Sequence, residues 1–589
     1  MITVRSYLLE REYPALRDLC VLTVVFGNAF FLLLGRVGLI EPDEGRYAEI
    51  PREMLERHDF ITPTLNYVAY FEKPPLHYWL TALSFKLFGL SEFAARFAGT
   101  MAGLLTVLLV YYTARKLWGR REAILSALVL ATSTGFLVQS RINLTDMTLT
   151  FCLSAALCCF MIAAENKQHK GYYYHLFYLA SGLSILAKGL IGLVFPIGII
   201  FSYMFFSRRW QLLREMYLPS GILLLLSITA PWFVLVAKHN QDFVGFFFIH
   251  EHFERFFTTV HGRYQPFWFF APILLLTMLP WSFYVLRALT HGLRSQLRQD
   301  GDPRFFLALW VLFIFVFFSA SHSKLIPYIL PTFPPLAMLI GVMFAGFLED
   351  NETKAPVAAE SRILAALVIV AATGVAGYSW LPKLAPMLIQ NGLLKPAGSL
   401  VTKPPIMTPT GGAVLCFIFM TMGVTALWSI RRKNILALFI GLCFSSYLLE
   451  VVGQHFVLER IAYKKSSREL GLLARELVMN GSVLASFGYE QSLPFYTQRR
   501  VVVVGGKGEL EFGSKRGDQT AWFIDENSFL KLWQGKRQVV TLLKKGEYEH
   551  IASSLVPAAT ILSQKGKKLL ISNFIHMPQK SEYCHASRK

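Results

Sequence analysis

A chain of 589 residues that is 54% hydrophobic and only 16% charged, with a mean hydropathy of +0.44, does not read as a soluble globular protein, in which about a quarter of residues are charged. The composition is that of a polytopic membrane protein. The formal net charge of +20 matters through its placement, and the seven cysteines, Cys20, Cys152, Cys158, Cys159, Cys416, Cys443 and Cys584, lack CxxC or zinc-ribbon spacing and read as no disulfide framework.

In chain order, apolar runs of about spanning length fall at 19–40, 93–115, 122–139, 147–165, 173–187, 189–206, 217–238, 266–288, 305–320, 325–347, 361–382, 411–430 and 434–453. They predict about thirteen transmembrane helices. Basic residues precede the first run, but Glu10, Glu12 and Asp18 interrupt the approach and no small-residue cleavage site follows. The N-terminus therefore reads as an uncleaved anchor and not as a removable signal peptide.

Lys and Arg mark the cytoplasmic loops. Arg5, Arg11 and Arg17 lie in the N-terminal tail, and alternate loops carry Arg115, Lys116, Arg120 and Arg121; Lys167 and Lys170; Arg208, Arg209 and Arg214; Arg294, Arg298 and Arg304; and Arg431, Arg432 and Lys433. The remaining loops are then expected outside: 41–92, the turn 140–146, Ala187-Lys188-Gly189, 239–265 and Ser321-His322-Ser323-Lys324. Nearly every charge lodged beside an apolar run falls on that one face, as a site would require. Within these loops Arg46–Arg57, Leu76–Leu90 and Phe246–Phe257 read as interfacial helices. After residue 455 short apolar runs alternate with helical patterns, predicting a small α/β domain outside the membrane. The domains expected are 1–455, in the membrane, and 456–589. Gly505-Gly506-Lys507-Gly508 lacks the spacing of a phosphate-binding loop and reads as a turn.

Each candidate group on the outer face has a structural reading beside its functional one. Asp43 and Glu44 suit either a carboxylate facing a substrate or the start of a helix, with Glu44 free to pair with Arg46. Lys73, between Glu72 and two prolines that stiffen the chain, suits an anionic headgroup, or it snorkels beside Glu72. Asp146 opens an apolar run and reads as a site carboxylate or a helix cap. Lys188 interrupts the 173–206 run as an anion ligand or a loop residue. In His250-Glu251-His252-Phe253-Glu254-Arg255 the string is not HExxH, although His250 and Glu254 share a helical face; Arg255 has the fork that clamps a phosphate. Lys324 and Tyr328 read as interface anchors, with Pro327 and Pro331 preventing a plain helix at Tyr328.

Three stretches carry a resemblance. Asp-Glu-Gly-Arg-Tyr-Ala-Glu (43–49), Tyr-Phe-Glu-Lys-Pro-Pro-Leu-His-Tyr-Trp (70–79) and Ser-Lys-Leu-Ile-Pro-Tyr-Ile-Leu-Pro (323–331) resemble the bacterial aminoarabinose transferases of lipid A, which stand with the protein mannosyltransferases in the GT-C class of membrane glycosyltransferases. The resemblance implies an all-α polytopic GT-C membrane domain with a small C-terminal α/β domain. It also implies transfer of a sugar, 4-amino-4-deoxy-L-arabinose or a related one, from undecaprenyl phosphate to lipid A or another envelope acceptor, with inversion. By position, Asp43 and Asp146 match catalytic carboxylates. Tyr47, Tyr70, Lys73, Lys188, Arg255 and Tyr328 match substrate-binding residues, and Glu72 with His250 or His252 falls where a zinc ion is held in a relative. The implied partners are the lipid-linked donor, the acceptor glycolipid and membrane lipid, not nucleic acid. The expected place is the bacterial inner membrane, with the N-terminus cytoplasmic and the site and C-terminal domain periplasmic. A related transferase acting on protein or another envelope glycan, and a transporter of the lipid-linked sugar, are the alternative readings.

Overall fold

Backbone amides in hydrocarbon have no water to bond, so a spanning segment satisfies them internally as a helix. The computed structural model describes residues 2–165, 169–254, 264–297, 301–349, 354–390, 408–453, 456, 459–479 and 481–574, with the side chains of 2–14, 252–254, 354–358, 381–386 and 388–389 outside the description. In chain order the helices begin α1 (Ile2–Phe31), α2 (Asp43–Arg57), α3 (Leu76–Phe88), α4 (Glu92–Leu117), α5 (Arg120–Ala131), α6 (Thr134–Ser140), α7 (Thr145–Glu165), α8 (Lys170–Lys188) and α9 (Ile191–Ser207). The chain divides into two units. The first gathers Met1–Leu34, Glu72–His77 and Arg96–Arg460; the second gathers Gly35–Phe71, Tyr78–Ala95 and Ile461–Lys589.

The first unit is helical. Among the described residues, eight helices are long and apolar enough to cross a membrane, or ten if two bent pairs each count as one span. The bent pairs are α5 with α6, at 66°, and Phe267–Thr277 with Ser282–Ser295, at 112°. Each replaces what the hydropathy pattern predicts as one straight span. Pro280 has no N–H to continue a helix. At the α5–α6 break the Thr134 amide donates to the Leu279 carbonyl at 3.1 Å, and the Trp281 indole donates to the Thr132 hydroxyl at 3.1 Å. The two breaks thus satisfy each other's polar groups, the condition for irregular backbone at membrane depth. The break between α8 and α9 falls at Gly189, as predicted, with a φ of 82° that favours glycine.

The helix α1 ends at Phe31, short of the predicted 40. Buried Arg141, at the end of α6, donates to the carbonyls of Ala29 at 2.7 Å and Phe30 at 2.6 Å and to that of Leu32. This guanidinium satisfies backbone acceptors that a helix end leaves open. Several of the basic loops are tied into the bundle by ion pairs. Arg120 holds Asp18 at 2.6 Å, Arg121 holds Glu349 at 2.7 Å, and Arg209 holds Glu165 at 2.7 Å while reaching the Gly301 carbonyl. The interior is rich in large aromatics, with Phe160, Tyr174, Trp281, Tyr284 and Trp310 all fully buried.

The second unit is built on a six-stranded sheet of order β5-β4-β3-β6-β8-β7, preceded by a two-stranded ribbon of β1 (Thr64–Leu65) and β2 (Val68–Ala69). The strands β3 (Val483–Phe487), β4 (Val502–Val504), β5 (Phe523–Ile524) and β6 (Val539–Lys544) pair in parallel, while β7 (Thr560–Lys565) and β8 (Lys568–Ser572) add an antiparallel edge. Parallel strands need covering on both faces. Accordingly Phe529, Trp533 and Ile551 cover one face, and Leu470, Ala474 and Leu493 belong to a second buried cluster. The helix α2 and the ribbon β1–β2 belong to this unit. Asn66 exchanges two hydrogen bonds with the backbone of Val501, at 2.8 and 2.9 Å.

Candidate active site

In the second unit the Asp43–Glu49 stretch forms the first turns of α2, with Asp43 and Glu44 at its N-terminus where the helix dipole favours carboxylates. Glu44 accepts from the Ile40 amide at 2.9 Å, closing the turn that leads in. Gly45 is dictated by packing: a Cβ there would stand 2.5 Å from the Ser492 amide nitrogen. Glu41 accepts from that same amide at 2.9 Å and from the Ser492 hydroxyl. Arg46 is the hub. It is buried and binds Asp43 at 2.9 Å, Glu509 at 2.9 Å and the Tyr70 hydroxyl at 2.9 Å. Tyr47 and Tyr70 are buried around its guanidinium, with ring centres 5.4 and 6.0 Å away. Asp43 keeps about half of its side chain exposed, at 48%.

One turn further along α2 lies a network that sequence reading did not find. Arg52 grips Glu49 through two bonds of 2.6 and 2.7 Å and also binds Glu56. Glu53, fully buried, accepts from the Thr64 hydroxyl at 2.6 Å and the Tyr67 amide at 3.0 Å. Burial, reinforced by the charge of Glu49, pushes the Glu53 carboxyl well above the usual carboxylate range.

In the first unit, the short segment Glu72–His77 carries Lys73. Its ammonium donates to the Glu72 carbonyl at 2.7 Å and stands 3.8 Å from Glu251, whose carboxylate is buried. His77 ties this segment to the corner between α6 and α7. Its Nδ1 lies 2.9 Å from the Thr148 hydroxyl and its Nε2 lies 2.8 Å from Asn143 Oδ1. Burial pushes its pKa down to about 4, so the ring is neutral near pH 7. The same corner carries Asp146, in the first turn of α7, which is ion-paired with Lys188 at the end of α8. The Lys188 ammonium lies 4.6 Å from the ring centre of Tyr328. Tyr328 sits in the 3-10 segment Ile326–Thr332, which follows the helix Pro303–Ala320.

The structure thus brings Asp146, Lys188 and Tyr328 together, and Lys73 with Glu251, in the first unit. Asp43, Tyr47 and Tyr70 cluster on Arg46 in the second. Arg255 and the side chain of His252 lie outside the described residues. The ring of His250 packs on Phe246 with centres 5.2 Å apart. Among the described residues no three His, Cys, Asp or Glu side chains converge as a metal site would need. Sequence patterns gave His77 no role, and read Glu251 only as a member of the 250–255 cluster and Lys324 only as an interface anchor. His77 stands within the 70–79 motif, and Lys324 opens the 323–331 motif, but nothing in the residue order says that either is buried.

The first unit is a helical bundle with cations and carboxylates seated at helix ends, and the second carries a small α/β sheet domain. The dolichyl-phosphate-mannose-protein mannosyltransferase family matches residues 72–235, and the aminoarabinose transferase C-terminal domain matches 472–573. An arabinosyl transferase of Aeromonas salmonicida, named for undecaprenyl phosphate-α-4-amino-4-deoxy-L-arabinose, is 31% identical over 92% of this chain and 96% of its own length. One of the same name from Edwardsiella ictaluri is 38% identical over 54% of this chain and 56% of its own length. The crystal structure of ArnT from Cupriavidus metallidurans bound to undecaprenyl phosphate superposes with a TM-score of 0.80 at 27% identity, covering 95% of this chain and 99% of that one. The chain belongs to the aminoarabinose transferase family.

Proposed function

We propose that this chain transfers 4-amino-4-deoxy-L-arabinose from undecaprenyl phosphate to a phosphate of lipid A, at the periplasmic face of the inner membrane and with inversion. The observation that carries the reading is the near full-length alignment with a relative named for this donor. The relative crystallised with undecaprenyl phosphate supports the same donor, and the basic loops support the orientation.

Displacement breaks the bond between the anomeric carbon and the donor phosphate oxygen and forms one to an acceptor phosphate oxygen. Negative charge develops on the departing undecaprenyl phosphate, and the sugar takes on oxocarbenium character. Preorganised cations where that charge develops lower the barrier most. Lys73 and Arg255 take this role. Glu251, 3.8 Å from Lys73, holds the ammonium in place before the lipid arrives. Lys188, held by Asp146 and lying over Tyr328, presents a second fixed cation, with Tyr328 as a hydrogen-bond donor beside it. A phosphate acceptor is already ionised near neutral pH and needs no general base, so a carboxylate such as Asp43, half-exposed beside Arg46, would serve the positive charge that develops on the sugar. Lipid A analysed by mass spectrometry from cells with and without the gene tests the reading. Gain of the aminoarabinose mass only with the gene is expected, and unchanged lipid A alongside a glycosylated protein or other glycan would replace the acceptor.

A further inference from the structure

Three lysines are buried among the described residues: Lys188, Lys324 and Lys565. Lys188 is paired with Asp146, and Lys565 with Glu469 at 2.9 Å. Lys324, only 4% exposed, has no carboxylate partner among the described residues. Its ammonium donates to two backbone carbonyls, that of Gln265 at 2.9 Å and that of Ser321. Carbonyl dipoles orient an ammonium without neutralising it, and a buried charge left unpaired is costly. Burial pushes its pKa down, and no neighbouring charge acts to hold it up.

Its place in the fold says what would complete it. Lys324 precedes the 3-10 turn that carries Tyr328, whose amide donates to the Leu325 carbonyl at 3.1 Å. The ring of Tyr328 lies against the Lys188 ammonium. Lys188 pairs with the Asp146 carboxylate, and Lys73 stands 3.8 Å from that of Glu251. Among the described residues, Lys324 is the lysine of this region that no carboxylate pairs. We propose that Lys324 is a phosphate-binding residue of the transfer site, its ammonium completed by a phosphate oxygen of the lipid-linked donor or of the acceptor. The inference rests on the proposed transfer and deepens its binding site.

The test uses full-length protein in detergent or nanodiscs. KM is measured separately for the undecaprenyl-phosphate sugar and for the lipid phosphate acceptor, and melting temperature with and without undecaprenyl phosphate. Lys324→Gln keeps two N–H donors for the two carbonyls and removes the charge; Lys324→Arg keeps both. Loss of one charge-assisted hydrogen bond should raise one KM roughly tenfold or more in Lys324→Gln, with the melting temperature near that of wild type and recovery in Lys324→Arg. A rise in donor KM with loss of the thermal shift assigns the donor phosphate, and a rise in acceptor KM alone assigns the acceptor's. Both KM values unchanged in Lys324→Gln, or failure of that variant to fold, overturns the proposal and makes Lys324 a neutral tie between two carbonyls. Inactivity of the wild type on this donor would defeat the proposed function itself, whereas an active wild type with an indifferent Lys324→Gln defeats only the inference.

Discussion

In the second unit, Arg46 is enclosed by Asp43, Tyr70 and Glu509, and Arg52 by Glu49 and Glu56. Each guanidinium meets at least two carboxylates in these networks, and the carboxylates come from the same helix or from the sheet domain. In the first unit, among the described residues, Lys73 stands 3.8 Å from the Glu251 carboxylate, Lys188 pairs with Asp146, and Lys324 donates to two backbone carbonyls. The contrast separates charge that builds from charge that binds. Arginines locked between carboxylates rigidify a fold and leave little for a ligand, whereas a lysine less enclosed by carboxylates keeps capacity for an incoming anion. The two motifs at 43–49 and 70–79 look alike in the sequence as dense charge beside apolar runs, yet their charged residues play these different parts.

Removing a locked arginine should damage the fold most. Arg46→Met strands Asp43 and Glu509 around an uncharged side chain, and a loss of about 3–5 kcal/mol of stability is expected, read as a lower melting temperature of the purified protein. Lys73→Ala should act mainly on transfer from undecaprenyl-phosphate sugar, which falls by about 10²–10³, while the melting temperature drops less than in Arg46→Met because Glu251 loses only a partner at 3.8 Å. Near wild-type turnover of Lys73→Ala would dissolve the contrast. Asp43→Asn sits between the two, because Arg46 retains Glu509 and Tyr70. Transfer is expected to drop by about a hundredfold with little change in stability, and retained activity would exclude an essential carboxylate there.

The smallest effect concerns pH. His77 titrates near 6.5 when unfolded and at about 4 in the fold. Between those values the unfolded chain binds the extra proton, so stability rises with pH across that window. The contribution of neutral His77 is complete above pH 6.5 and is lost as pH falls through about 4. Melting temperatures taken from pH 7 down to 4 should fall more steeply for the wild type than for His77→Asn, and parallel curves would show that the ring is not held neutral.

The membrane class, the helices α2 and α3 and the presence of a C-terminal α/β domain were legible because hydrophobic period and length report secondary structure directly. The breaks at Thr132 and Pro280 were not. Each depends on a partner far along the chain, since Thr134 meets Leu279 only after folding. The same limit applies to charge. Sequence patterns picked out Lys73, Asp146, Lys188 and Tyr328 as charged or polar groups beside apolar runs. They could not say that Asp146 pairs with Lys188 across two helices, that Arg46 pairs with Glu509 of the sheet domain, or that Lys324 is buried against two backbone carbonyls. The Glu49–Arg52–Glu53 network was missed because, on a helix that reads as amphipathic and interfacial, those residues look solvated, whereas Glu49 and Glu53 are fully buried.

The most direct measurement is transfer by the purified, reconstituted chain, with undecaprenyl-phosphate 4-amino-4-deoxy-L-arabinose as donor and lipid A as acceptor, followed by mass spectrometry of both lipids. The expected result is lipid A carrying added aminoarabinose on a phosphate, formed in step with released undecaprenyl phosphate and strongly reduced in Lys73→Ala. Donor left intact in the presence of lipid A, or product forming equally well with Lys73→Ala, would contradict it.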